Sequence, residues 1–355
     1  MKIFVSVIIN NMEKDNLNKK LLEQIVAQLM TKSKGILAAD ESNETAGKRL
    51  AEIGVQNTEE NRRLFRELFF GMADIEKYIS GVILYDETFW QESDNGVKYP
   101  KFLADKDILP GIKIDLGAKD FPGFPGEKLT VGLDDLPVRV KKYAENGAMF
   151  VKWRAVITID EPNNLPTDEA IDANADTLGR YARICQEAGL VPIIEPEVLL
   201  DGPHSILKSE EVTRVVLKKV FGSLKKYKAH VPGLILKTSM VIQGNKNPDE
   251  NSPKEIADAT VRVLLEIVPK NIGGVVFLSG GQTPVEASAH FDAIAEKEPL
   301  PFEIAFSYAR ALQGPVIQIW KGKPENVAAA RAEFKKRLEL NTLADSGDYD
   351  IGLEY

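Results

Sequence analysis

Ten side chains able to do acid, base, amine or anion chemistry stand at the ends of apolar runs: Asp40, Lys113, Asp115, Lys152, Arg154, Glu195, Glu197, Lys237, Ser279 and Ser307. One lysine in such a place is usually a snorkelling or ion-paired residue. Three lysines among several carboxylates are another matter, because burying that many charges costs on the order of several kcal/mol per ion unless they pair or meet a ligand. The set lacks metal character. The histidines, His204, His230 and His290, are far apart and show no HxxxH spacing. Carboxylates alone could hold Mg²⁺, but interleaved lysines would compete with a cation. Amine chemistry is the alternative. A lysine desolvated in an apolar strand and flanked by other cations loses basicity, and its free amine can attack a carbonyl to form a Schiff base. The protonated iminium then draws electrons from a breaking carbon–carbon bond. Lys237, in GLILKTS, has the most apolar setting. A carboxyl must shuttle protons as the carbinolamine forms and dehydrates. Glu195 and Glu197, two residues apart, face the same side of one strand.

An anion signal lies later in the chain. FLSGGQTPVE (277–286) reads as a strand, a Ser279-Gly280-Gly281 turn and a capped helix. Glycines permit close backbone approach, and N–H groups at a helix start attract phosphate. The next run ends in SYARALQ, adding Ser307 and Arg310. Arg49 with Lys113 could hold a second phosphate. The plain alternatives are an ordinary tight turn for SGG and a solvated helix charge for Arg49.

The elements that must position these groups are legible. Eight short apolar runs recur: GILAAD (35–40), GVILYD (81–86), PGIKID (110–115), AMFVKWRA (148–155), VPIIEPEV (191–198), PGLILKTS (232–239), GGVVFLSG (273–280) and FEIAFSYA (302–309). Such near-continuous runs are typical of a parallel sheet buried on both faces. Helical stripes alternate with them. Leu22, Ile25, Val26, Leu29 and Met30 form one; Ile171, Ala175, Leu178, Ala182 and Cys185 form another, which makes Cys185 a small core hydrophobe. Thr58 starts a helix, and Ser252…Glu255 and Thr283…Glu286 are capping boxes. No GxGxxG turn follows GILAAD, which argues against an open doubly wound sheet. The expectation is an α/β fold, a single-domain (β/α)₈ TIM barrel whose carboxyl-end mouth gathers the charged residues. Residues 87–109, with a turn at Asp94-Asn95-Gly96, and 116–136 read as long loops at that mouth.

The chain has 355 residues, is 44% hydrophobic and 28% charged, and so carries enough apolar material for one large core. A net charge of −8 excludes a broad basic face for nucleic acid, so anionic ligands must meet local cations. No apolar run approaches a membrane span. One cysteine excludes an intrachain disulfide and points to a reducing, cytoplasmic home. Residues 1–16 read as a poorly docked extension, an edge strand being the alternative. Residues 17–342 read as the barrel, and 343–355 as a mobile, acidic tail ending in Tyr355.

The motifs GILAADES, KRL, NTEENRR, GVILYDETF, GIKID, VKWR, VPIIEPEVL, LILKTSMV, FLSGGQ and FSYARALQ, in this order over residues 17–340, resemble class I fructose-bisphosphate aldolases. The resemblance implies a metal-free, cofactor-free barrel that reversibly splits fructose 1,6-bisphosphate into dihydroxyacetone phosphate and glyceraldehyde 3-phosphate. It implies Lys237 as Schiff-base lysine, Glu195 as proton shuttle, Asp40 as base for carbon–carbon cleavage and Lys152 as the group that holds their charge states. It further implies Ser279, Gly280, Gly281, Ser307, Arg310 and Arg49 at the ketone-side phosphate, Ser42 and Lys113 at the other, and Tyr355 as mover of the proton at the enamine carbon. Members are commonly homotetramers. Spacing alone separates neither Asp40 from Asp115 nor Tyr355 from any mobile end. The sequence departs from animal members at Asn43–Ala46, at Ala309 and in the tail. A phosphate-binding barrel without turnover and a transaldolase-like enzyme are the competing readings.

Overall fold

Period-two alternation organises the barrel. Each apolar run forms a strand: β1 (Gly35–Ala39), β2 (Ile79–Leu84), β3 (Leu109–Lys113), β4 (Phe150–Ile157), β5 (Val191–Val198), β6 (Ile235–Thr238), β7 (Gly274–Phe277) and β8 (Ile304–Phe306). The computed structural model describes residues 17–355; the expected extension at 1–16 lies outside the described residues. The strands stand in chain order, each parallel to the next. Ala38 N–H donates to Tyr308 O across 3.0 Å, bringing the β8 end against β1 and nearly closing the ring. Helices surround it, so the chain is a (β/α)₈ barrel, as its eight alternating units predict.

Ile36, Ala38, Ile83, Phe150, Ile193, Ile235, Val276 and Ala305 belong to one buried cluster within the ring. Leu22, Ile25, Val26 and Leu29, on the helix at 17–29, and Met30 just after it join that cluster and plug the amino-terminal end. Phe150 fills the centre: a side chain on Gly111 would lie 2.3 Å from its ring. Two residues further along the same faces come Asp40, Lys152, Glu195 and Lys237. The alternation that builds the dry floor therefore also delivers the charges above it.

A larger cluster seals the strands to the outer helices and contains Cys185, on the helix Asp168–Glu187. Thr58, Ser252 and Thr283 cap their helices, the last two in full capping boxes. The excursion after β2 is more ordered than a loop. It holds helices Asp86–Trp90 and Tyr99–Ala104 around a turn in which Ser93 N–H donates to Val97 O. The stretch 116–136 contains an antiparallel hairpin, Ala118–Asp120 with Lys128–Thr130, whose strands are too short for alternation to show. Among the described residues no helix is long and apolar enough to cross a membrane.

The carboxyl-terminal segment, expected as a mobile tail, is bonded to the body. Glu354 pairs with buried Arg337 and accepts from Tyr349 Oη at 2.8 Å, and Tyr349 N–H donates to Asp292. At the root of this segment Asp345 is buried. Its Oδ2 accepts from Ser33 N–H at 2.8 Å and lies 3.8 Å from Lys32, while Oδ1 has no partner. Burial pushes this carboxyl up to about 6, Lys32 and the Ser33 N–H opposing, with Glu298 and Glu303 adding to the rise. A raised carboxyl favours the folded state only while protonated, so its contribution is full below about pH 4 and lost as pH rises through about 6. Asp345→Asn should therefore raise unfolding stability by roughly 1–3 kcal/mol at pH 8 and by little near pH 4. Urea titrations at the two pH values check this; an equal effect at both would contradict it.

Candidate active site

A cavity of about 630 Å³ opens at the carboxyl ends of the strands. Its floor is a chain of four buried charges. Lys152 Nζ stands 2.6 Å from Asp40 Oδ2 and 2.8 Å from Glu195 Oε2, and Glu195 Oε1 stands 3.1 Å from Lys237 Nζ. Strand register explains the proximity. Lys152 of β4 pairs with Ile193 of β5, two residues before Glu195, and Lys237 of β6 pairs with Val276 of β7.

The two lysines are not equivalent. Burial pushes Lys152 down, but Asp40, Glu195 and Asp115 outweigh it and hold its ammonium far above the ordinary lysine range. Burial pushes Asp40 up, but Lys152 and Lys237 hold it well below the usual carboxylate range. Glu195 follows the same logic, with a net shift downward. Lys152 thus serves two carboxylates, whereas Lys237 touches only one.

Other groups lining the cavity have the chemistry to meet an anion. Gly280 and Gly281 adopt φ of +56° and +101°, a left-handed course suited to glycine. Among the described residues their N–H groups find no partner, and buried Ser307 Oγ also lacks one. The sequence suggests that the N–H groups starting helix Pro284–Ala295 bind anions; there Pro284 has no N–H, and the capping box takes up the Thr283 and Glu286 N–H groups. A second helix start, that of Arg310–Trp320, has no side-chain cap and borders the cavity at Ala309 and Arg310. Arg49 reaches the same side: its Nη1 donates to Gln313 Oε1 at 2.8 Å and to Glu41. Lys113 and Ser42 also line the cavity, with Ser42 Oγ capping helix Asn43–Glu52.

The cavity brings together Asp40, Ser42, Arg49, Lys113, Lys152, Glu195, Lys237, Ser279, Gly280, Gly281, Ser307 and Arg310. It does not include Tyr355, which is fully exposed at the chain end. Nor does Asp115 line it. Asp115 accepts from Lys113 Nζ, Gly117 N–H and Arg154 N–H, and so fixes Lys113 in place. Sequence reasoning missed the support beneath Arg49. Glu41 is shared between Arg49 and buried Arg66, and Gln313 Nε2 donates to Ala38 O at 2.7 Å. No local pattern singles out Arg66, since helix Glu59–Phe70 carries Arg62 and Arg63 one turn before it and buries Glu67 beside it.

The family model for class I fructose-bisphosphate aldolase matches residues 21–354. The chain is 45% identical to fructose-bisphosphate aldolase of Dictyostelium discoideum over 337 residues, 94% of each chain. It is 46% identical to fructose-bisphosphate aldolase C of Mus musculus over 334 residues, 94% of this chain and 92% of the other. It superposes with a TM-score of 0.92 on fructose-bisphosphate aldolase of Plasmodium falciparum, crystallised with TRAP and a small-molecule inhibitor, at 44% identity, covering 94% of this chain and 96% of that one.

Removing Lys152 leaves buried Asp40 without its ion-pair partner and Glu195 with Lys237 alone. Lys152→Met should cost about 3–5 kcal/mol of stability at pH 8, a loss that shrinks toward pH 4 as the orphaned carboxylates take up protons. Denaturant unfolding at both pH values measures it; a loss independent of pH would contradict the charge assignment.

Proposed function

The chain belongs to the class I fructose-bisphosphate aldolases, lyases that act on sugar phosphates through a lysine Schiff base, and from that premise we propose a role for each residue of the cavity. The single observation that carries the assignment is the four-charge floor, in which Lys237 touches one carboxylate and Lys152 two.

Lys237 passes a proton to Glu195, and its free amine attacks the C2 ketone of fructose 1,6-bisphosphate. Glu195 then protonates the carbinolamine hydroxyl, which leaves as water, and the nitrogen lone pair forms the iminium. Asp40, kept ionised by Lys152, takes the C4 hydroxyl proton. The C3–C4 bonding pair moves to the iminium, glyceraldehyde 3-phosphate departs, and an enamine of dihydroxyacetone phosphate remains. Protonation at C3 and hydrolysis by the reverse of the first steps release the second product and restore Lys237. Tyr355 delivers the C3 proton. For this the last residues must leave the Arg337 anchor, since Tyr355 stands outside the cavity.

Phosphate contacts set the register of the substrate. The Ser279-Gly280-Gly281 turn, Ser307, Arg310 and Arg49 take the ketone-side phosphate with free N–H and hydroxyl donors and two guanidinium groups. Lys113 and Ser42, at the start of helix Asn43–Glu52, take the other. Two cationic clusters suit a bisphosphate and disfavour the transaldolase-like alternative, and an acid–base pair beside Lys237 is more than a binding module needs. The resemblance to homotetrameric members supports a homotetramer. The single, buried, free cysteine fits a cytoplasmic home.

Lys237→Met should lower cleavage of fructose 1,6-bisphosphate by on the order of 10³-fold or more while the unfolding midpoint stays near that of the parent. EDTA should leave the parent's rate unchanged. A coupled assay reads both; turnover retained by the variant, or lost to the chelator, would contradict the amine assignment.

A further inference from the structure

Neither Gln282 nor His290 lines the cavity, yet together they fasten the turn that does. Gln282 donates twice to one acceptor: its backbone N–H and its side-chain Nε2 each reach Ser279 O at 2.9 Å. Its Oε1 faces His290 Nδ1, on helix Pro284–Ala295, at 2.5 Å. Both side chains are buried. The amide cannot be reversed, because its oxygen would then oppose the Ser279 carbonyl. With Nε2 committed as donor, Oε1 is the acceptor, so the hydrogen must be on His290 Nδ1. Burial pushes His290 down to about 4, against the nearby Glu286, so the ring is neutral at working pH and carries a single N–H. That N–H is used to orient Gln282.

The turn needs such a fastening. Two consecutive glycines in left-handed conformations have wide backbone freedom, and their free N–H groups bind an anion well only if held in place. We infer that His290 is a positioning residue: its Nδ1–H locks the Gln282 amide and, through it, holds the Ser279-Gly280-Gly281 turn in shape for the ketone-side phosphate. This rests on the proposed assignment of that turn to that phosphate.

The condensation direction separates the two phosphates, because dihydroxyacetone phosphate and glyceraldehyde 3-phosphate are supplied independently. His290→Leu should raise KM for dihydroxyacetone phosphate by about 5-fold, the effect of one lost neutral hydrogen bond. KM for glyceraldehyde 3-phosphate and kcat should change by less than about twofold. His290→Asn, whose amide nitrogen can overlie Nδ1, should restore the first KM to within about twofold of the parent. If His290→Leu fails to fold, His290→Gln, which moves the donor away from the Nδ1 position, carries the same expectation. Equal rises in both KM values, no rise at all, or an Asn variant no better than Leu would overturn the inference. A parent enzyme that fails to condense the two triose phosphates would instead overturn the functional reading beneath it.

Discussion

One cation between two buried carboxylates governs this molecule. Lys152 lies within ion-pair distance of Asp40 and Glu195 at the top of an apolar barrel core, where all three are buried. Charges so placed are tolerated only as a set. The set then imposes an asymmetry that a single lysine–carboxylate pair could not. Lys152 is held charged by two partners, whereas Lys237 has one, and it is Lys237 to which the proposed chemistry assigns the free amine.

The barrel supplies that geometry through two regularities. Alternation along each strand puts an apolar residue on the floor and a charged one two positions above it, as in Phe150 and Lys152, Ile193 and Glu195, and Ile235 and Lys237. Parallel register then sets these upper positions side by side. Helices contribute a third element. The start of Arg310–Trp320 has no side-chain cap and borders the cavity, whereas the capping box of Pro284–Ala295 takes up the Thr283 and Glu286 N–H groups. The second helix also carries His290, bonded to Gln282 beside the glycine turn.

What could be read in the sequence follows the same physics. The eight strands and the charged positions on them were legible because periodicity and burial leave a mark on every residue. The choice between Asp40 and Asp115 was not, since both end an apolar run. Only the fold shows that Asp115 is occupied by Lys113, Gly117 and Arg154. Glu41 and Arg66 meet across 25 positions of chain, beyond any local pattern. The hairpin at 118–130 has three-residue strands, shorter than the alternation needed to detect them. Tyr355 came from family resemblance alone. Its exposed position beyond the Glu354–Arg337 pair shows why spacing had nothing to say about it.

The most direct test asks which nitrogen bonds to the substrate. The enzyme is incubated with dihydroxyacetone phosphate, reduced with borohydride, digested and mapped by mass spectrometry. The charge arrangement predicts one adduct per chain, on the peptide that carries Lys237, with Lys152 unmodified. An adduct on Lys152, or none on either lysine, would contradict it.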